Sequence, residues 1–315
     1  MNAWILFQRM LELFAMMVTG YFCYRRKWLD DNSYEKLSKI VVNILNPLII
    51  INGVMNSDLQ KGTEKIFQNL MFVLIYFGIL IIISFPVSGI LHTKKAETYL
   101  YQTMCIFSNV GFIGIPVVES IYGTESTLYI SFYILIYNFL LYTYGVSRIR
   151  ASARTVRSEE IKTRTAFQWG KLFNAGTAAC LISVIIVISG IRFPSAAESF
   201  VSYMGNAAIP MSMILIGVSM ARQNIRSMLS DIRMYFFLFI RMSVVPVTAA
   251  IAGRWIPVDR QLYNIFCLML AMPVGSILVL IATDQKADEK VFTDGSVLST
   301  LFSVITIPLT ALFLL

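Results

Sequence analysis

At 315 residues, 57% of them apolar and 14% charged, with a mean hydropathy of +0.69, the chain lies outside the range of soluble globular domains. Its charged residues collect in short segments between apolar stretches of membrane-spanning length, which excludes a soluble α/β core of this size. The net charge of +8 does not indicate nucleic acid, because Lys and Arg follow apolar spans and are not interleaved with exposed aromatics.

A hydrocarbon core ~30 Å thick calls for about 20 apolar residues per helix. Runs of that kind fall near residues 4–24, 34–55, 68–91, 98–122 and 126–147, and again near 172–190, 196–220, 233–254, 261–283 and 290–313. The first has no basic region ahead of it and is followed at once by Arg25, Arg26 and Lys27, so it reads as an anchor and not as a cleavable signal. Loops after odd-numbered runs hold 19 of the 26 Lys and Arg, and those after even-numbered runs hold 5. Because cytoplasmic loops carry the positive excess, both termini are predicted outside and the basic loop 148–171 in the cytoplasm, in a multi-pass protein of the plasma membrane. The lipid bilayer is thus the first expected partner. Cys23, Cys105, Cys180 and Cys267 are scattered singly through apolar segments without metal-ligand spacing, so no metal and no cofactor is expected.

The spacing of prolines points to an internal repeat. NILNPLIIING (43–53) and NAAIPMSMILIG (206–217) each place an Asn four residues before a Pro and a Gly six or seven after it. Pairing Pro47 with Pro210, Pro86 with Pro246 and Pro116 with Pro273 gives offsets of 163, 160 and 157. The halves are therefore expected at 1–147 and 172–315, joined by the linker 148–171. Five helices in each half force the second to enter from the opposite side, so the predicted fold class is an all-α membrane protein of ten transmembrane helices in two inverted five-helix repeats. That plan recurs among secondary transporters.

Run 4 contains Ser108-Asn109-Val110-Gly111-Phe112-Ile113-Gly114-Ile115-Pro116, two glycines and a proline inside a membrane span. Proline costs a helix interior ~3 kcal/mol or more and glycine up to ~1 kcal/mol against alanine, so a break is predicted there. Run 9 carries a counterpart, Ala271-Met272-Pro273-Val274-Gly275-Ser276. A proline at the start of each new half-helix leaves free N–H groups and a positive dipole end facing the gap, and two such ends make an anion site. Asn109 is the leading candidate, since a carboxamide donates to a carboxylate without bringing charge into the membrane. Asn43, Asn46, Asn206 and Ser276 either complete the polar lining or bond neighbouring helices.

Arg9, Glu12, Glu119 and Arg241 lie within or at the edge of spans, where an isolated charge costs ~2.5 to 3.5 kcal/mol. Arg9 and Glu12 are three apart and either pair locally or, for Glu12, join Glu119 as candidates for proton coupling. Arg241 either snorkels to the cytoplasmic face or serves inside the bundle. His92, the only histidine, ends run 3 at the interface.

NPLIIING (46–53), SNVGFIGIPVVESIYG (108–123), AMPVGSILVLIATDQ (271–285) and SVLSTLFSVITIPLT (296–310) resemble the auxin efflux carrier family, which holds the plant auxin exporters and many bacterial relatives. The likeness covers nearly the whole chain. It implies inverted repeats whose broken helices 4 and 9 cross, a scaffold set and a transport set of helices, and an elevator-like motion. It also implies a substrate carboxylate beside the crossing, at Asn109, Pro116 and Pro273, with Gly114 and Ile115 around them and Asn46 and Pro47 contributing from run 2; Gly275 and Ser276, from the reading of the second break, complete the candidate site. The chain departs from the plant members in its short middle loop and in Glu119, where those carriers often have a basic residue.

The expected function is therefore a secondary carrier of the efflux type for small organic anions, auxin-like or malate-like, with no enzyme activity. An intramembrane enzyme would need a nucleophile with a base, a ligand cluster or facing carboxylates, and no such set stands in the spans. An anion channel and a membrane substrate sensor stay open as alternatives, and a homodimer is compatible with the sequence.

Overall fold

The computed structural model describes residues 3–55, 63–157, 175–189, 193–222, 231–252, 258–285 and 287–314, with Ile191 and Trp255 as isolated positions; some side chains inside these helices are also left undescribed. Among the described residues there is no strand, and helix occupies part of every apolar run. Among the described residues five helices are long and apolar enough to cross a membrane: Glu64–Ile90, Thr127–Val156, Ser195–Ala221, Ile232–Ala252 and Glu289–Leu314.

In chain order the helices are α1 (Ala3–Arg25), α2 (Asp31–Ile40), α3 (Asn46–Met55), α4 (Thr63–Ile90), α5 (Lys95–Ile106), α6 (Ile115–Tyr122), α7 (Thr127–Leu140) and α8 (Val146–Arg157). They continue with α9 (Ala175–Ser189), α10 (Ser195–Asn206), α11 (Ala208–Ala221), α12 (Ile232–Phe239), α13 (Val245–Ala252), α14 (Arg260–Ala271), α15 (Ile277–Asp284) and α16 (Glu289–Leu314). The loop expected from residue 148 is helical as far as Arg157, and the remainder of that linker lies outside the described residues.

Single π turns at Val41–Leu45, Val110–Gly114 and Ile240–Val244 each stand just before an X-Pro pair, at Pro47, Pro116 and Pro246. A proline ring collides with the carbonyl four residues back and removes one helical hydrogen bond. In all three cases that carbonyl falls inside the wider π turn, which gives the ring room.

The helices associate in two groups. In one, α1 packs along α11, and α3 packs against α9 and α10. In the other, α4 and α8 flank α5, and α13 and α16 flank α14, with α4 also against α14. Contacts of α1 with α16 and of α7 with α3 and α9 join the groups. The α1–α11 seam depends on glycine: a Cβ at Gly217 would lie 1.8 Å from the Met17 carbonyl oxygen, and one at Gly20 2.0 Å from that of Ile214. Small residues that let backbones touch are the usual glue between helices in lipid, where burial alone gives no drive.

Helix ends outside the apolar stretches are capped by carboxylates. Asp30 accepts from Ser33 N at 2.8 Å, and Asp259 accepts from Leu262 N at 3.1 Å at the start of α14. Asp259 also pairs with Lys65 Nζ at 2.9 Å, tying α14 to the first turn of α4. Burial alone pushes the Asp259 carboxyl up, but the Lys65 ammonium and the Leu262 amide outweigh it and hold it below its ordinary value of 3.8. A depressed carboxyl stabilises the fold above its unfolded pKa, and the contribution is lost as pH falls through the folded value. Asp259→Ala is expected to cost about 0.5 to 2 kcal/mol near neutral pH, and melting curves across a pH series should show that gap closing in acid.

Candidate functional site

The chain stops being helical at Phe107, after α5, and again at Met272, after α14. The two breaks lie side by side. Ser108 and Val274 form an antiparallel bridge in which Asn109 N donates to Pro273 O at 2.6 Å and Gly275 N donates to Phe107 O at 2.9 Å. Val274 N donates to Ser299 Oγ of α16 at 3.0 Å. Backbone groups freed by unwinding are thus paired with one another and with a neighbouring helix, as a low-dielectric interior requires.

Helix resumes at Val110, not at Pro116 as the motif suggested, because Asn109 caps the new segment: its Oδ1 accepts from Phe112 N at 3.1 Å. That bond fixes the orientation of the carboxamide, since only the oxygen can accept. The Nδ2 group is left buried with no hydrogen-bond partner on a side chain that is 5% exposed. An unpaired buried donor costs ~1 to 3 kcal/mol, so a vacant one beside a cavity marks a place for an acceptor.

The cavity in question has a volume of about 240 Å³ and is lined by Asn109, Gly111, Phe112 and Ile115 from the first break, Gly275, Ser276 and Ile277 from the second, Asn43 and Asn46 from run 2, and Tyr137, Asn138 and Tyr142 from α7 and the turn after it. Helix N-termini at Val110 and Ile277 open on it, each with a positive dipole end, although Val110 N already donates to Ser108 O at 2.9 Å and Leu278 N to Gly275 O at 3.1 Å. Among the described residues that line it there is no Lys, Arg, Asp, Glu or His. A smaller space of about 60 Å³ shares Val42, Phe112, Ser276 and Ile277 with it and runs past Ser212, Ser219, Ser296 and Thr300 to Tyr34 and Ser38 of α2.

Of the residues the sequence singled out, Asn46, Asn109, Ile115, Gly275 and Ser276 stand on this cavity. Pro273 is buried inside the crossing, where it supplies the carbonyl that Asn109 N meets. Pro116 borders a separate small space with Asn46 and Phe112. Gly114 faces the Met269 side chain, and Pro47 and Asn206 do not line the cavity; Asn206 Nδ2 donates to Ser202 Oγ at 3.3 Å instead. Glu12 is exposed on α1, and the half-buried Glu119 on α6 has an Oε2 without a partner; neither lines the cavity. The Arg9 side chain lies outside the described residues.

Tyr137, Asn138 and Tyr142 went unnoticed in the sequence because run 5 carries no proline to mark its π turn at Leu141–Gly145; only the tertiary fold turns them toward the breaks. Gly275 matters sterically. A Cβ there would sit 2.8 Å from the Tyr137 hydroxyl and 3.1 Å from Phe107 O, prising the crossing apart. Gly275→Ala should cost roughly 1 to 3 kcal/mol of stability and weaken ligand binding, readable as a lower melting midpoint and a smaller ligand-induced shift.

Arg241 is where the sequence reading left two options, and the fold excludes snorkelling. The residue is 2% exposed and points into the protein, where its Nε donates to Cys105 O at 2.7 Å and its two terminal nitrogens donate to Leu270 O and Ser108 Oγ. Tyr76, from α4, donates to the same Ser108 Oγ at 3.0 Å.

Helical throughout its described residues, with several membrane-length apolar helices and, at two interrupted helices, a mostly apolar cavity carrying a few uncharged polar groups among its described lining, the protein has the form of a multi-pass membrane transport protein. The chain matches the family described as "Membrane transport protein" over residues 5–311, and it belongs to that family. It is also similar to an uncharacterized transporter of Methanothermobacter thermautotrophicus, at 20% identity over 310 residues covering 96% of each chain. The resemblance to auxin efflux carriers drawn from the four motifs is thereby upheld.

Proposed function

We propose that the protein is a secondary carrier of small organic anions, carboxylates of the auxin-like or malate-like kind, exporting them by alternating access. The observation that carries this reading is the buried, partnerless Nδ2 of Asn109 beside a cavity with no ionised side chain among its described lining residues. A carboxylate there would accept from Asn109 Nδ2 and lie at the positive ends of the helices that start at Val110 and Ile277, gaining a charge-assisted hydrogen bond and two favourable dipoles without a buried counter-ion. Glu12 and Glu119 lie off this cavity and remain the candidates for proton coupling.

Ten membrane helices in two inverted five-helix repeats fit this reading. The pairing of α1 with α11 is mirrored by that of α9 with α3, as an exchange of halves requires, and the two breaks correspond in the same way. The group of α1, α3, α9, α10 and α11 would serve as scaffold while the group holding the crossing moves. Tyr34, Ser219 and Ser296 adjoin loops on the side that the basic residues assign to the cytoplasm, so the site is open inward, with both termini outside.

Purified protein in proteoliposomes provides the test. A carrier should show saturable uptake of labelled monocarboxylates or dicarboxylates and acceleration by substrate on the opposite side. Channel-like flux without counterflow, or binding with no flux at all, would overturn the carrier reading in favour of a channel or a sensor.

A further inference from the structure

Arg241 does not line the cavity, so its three hydrogen bonds serve something other than ligand contact. Two acceptors are equivalent groups: Cys105 is the penultimate residue of α5 and Leu270 the penultimate residue of α14. Both carbonyls belong to the last turn of a helix, where no intrahelical donor exists and the helix dipole is negative. The third acceptor, Ser108 Oγ, lies in the first break itself. Oxygens of this kind, gathered from two half-helix C-termini and unwound chain, form the usual environment for a bound monovalent cation in transporters with interrupted helices. Here a guanidinium occupies the position, and among the described residues no carboxylate pairs with it.

We propose that Arg241 is a covalently tethered replacement for a monovalent coupling cation at the crossing. It neutralises both negative helix ends without itself lining the cavity and locks Ser108, which does line it, in place. The adjacent Asn109 is thereby held with its amide toward the ligand. Arg241 is a positioning residue, and its presence makes the crossing independent of sodium and potassium. The proposal goes beyond the assignment of an organic-anion carrier and does not need it, because the decisive readout requires no substrate.

The experiment compares thermal unfolding of purified wild type and Arg241→Ala in choline chloride, sodium chloride, potassium chloride and methylguanidinium chloride at one ionic strength. Wild type should melt at the same temperature in all four. Arg241→Ala should melt about 5 °C or more lower in choline and recover at least half of that shift with sodium, potassium or methylguanidinium, none of which exceeds the space the side chain vacates. A purely structural arginine would show the loss without cation-selective recovery, and that outcome overturns the proposal. So does a wild type stabilised by sodium, or an Arg241→Ala that matches wild type in choline. If Arg241→Ala does not fold, Arg241→Lys and Arg241→Gln replace it. Lysine should retain folding in choline where glutamine loses it, and equal behaviour of the two would show that charge is irrelevant.

Discussion

Asn109→Asp should bind and carry the organic anion at least 10- to 100-fold more weakly than wild type while melting close to it. The substitution is chosen because the two ends of the Asn109 side chain do different work. Oδ1 caps the helix that restarts at Val110, through Phe112 N at 3.1 Å. Nδ2 is the buried donor with nothing to donate to. Aspartate keeps an acceptor for the cap and strengthens it at a positive helix end, but it replaces the donor by a second acceptor bearing negative charge. Asn109→Ala removes both functions, so it should lose binding to a similar degree and in addition about 0.5 to 2 kcal/mol of stability from the missing cap. The carboxylate that raises the wild-type melting midpoint most in a screen of monocarboxylates, dicarboxylates and indole acids is the ligand to use. Undiminished uptake of that ligand by Asn109→Asp would show that the amide donor is not part of the site.

The positions of the helices were legible because membrane helices declare themselves by length and apolarity, and the ten runs predicted from 4–24 to 290–313 all contain helix. Two breaks were legible for a related reason: glycine and proline mid-span have few structural uses. Their limits were not. Pro116 looks like the start of a half-helix, yet the chain turns helical at Val110, because the π turn over Val110–Gly114 absorbs the proline ring and Asn109 supplies the cap earlier. Pro47 and Pro246 are accommodated by the same device.

What the sequence could not convey is convergence. Arg241, Tyr76 and Ser108 meet at one point from three different segments, and no local pattern in any of them announces it. Asn138 reads as one polar residue in an aromatic helix until the fold sets it on the cavity. A lone arginine in a span permits snorkelling or burial equally well, and only the identity of its acceptors decides. Here they are carbonyls at the ends of both broken helices, so the residue belongs to the architecture of the crossing.

Gly217→Ala is expected to destabilise the protein by about 3 kcal/mol or more, a large effect for one methyl group. The added Cβ would lie 1.8 Å from Met17 O and 2.9 Å from Tyr21 N, both backbone atoms, so no rotamer change can relieve the overlap. Only separation of α1 from α11 would do so, and in lipid that separation has no hydrophobic penalty to oppose it, since tails solvate the exposed faces as well as leucine does. Gly20→Ala, with its Cβ 2.0 Å from Ile214 O on the same seam, should behave alike. Gly78→Ala is the control: its Cβ meets nothing within 4 Å, and alanine's better helix propensity should leave stability unchanged or raise it by up to ~1 kcal/mol. Melting curves of the three variants in one detergent give the comparison. If Gly217→Ala melts with Gly78→Ala rather than far below it, the α1–α11 backbones are not in contact. The group of helices assigned as scaffold would then lack the rigid seam against which a moving crossing must work.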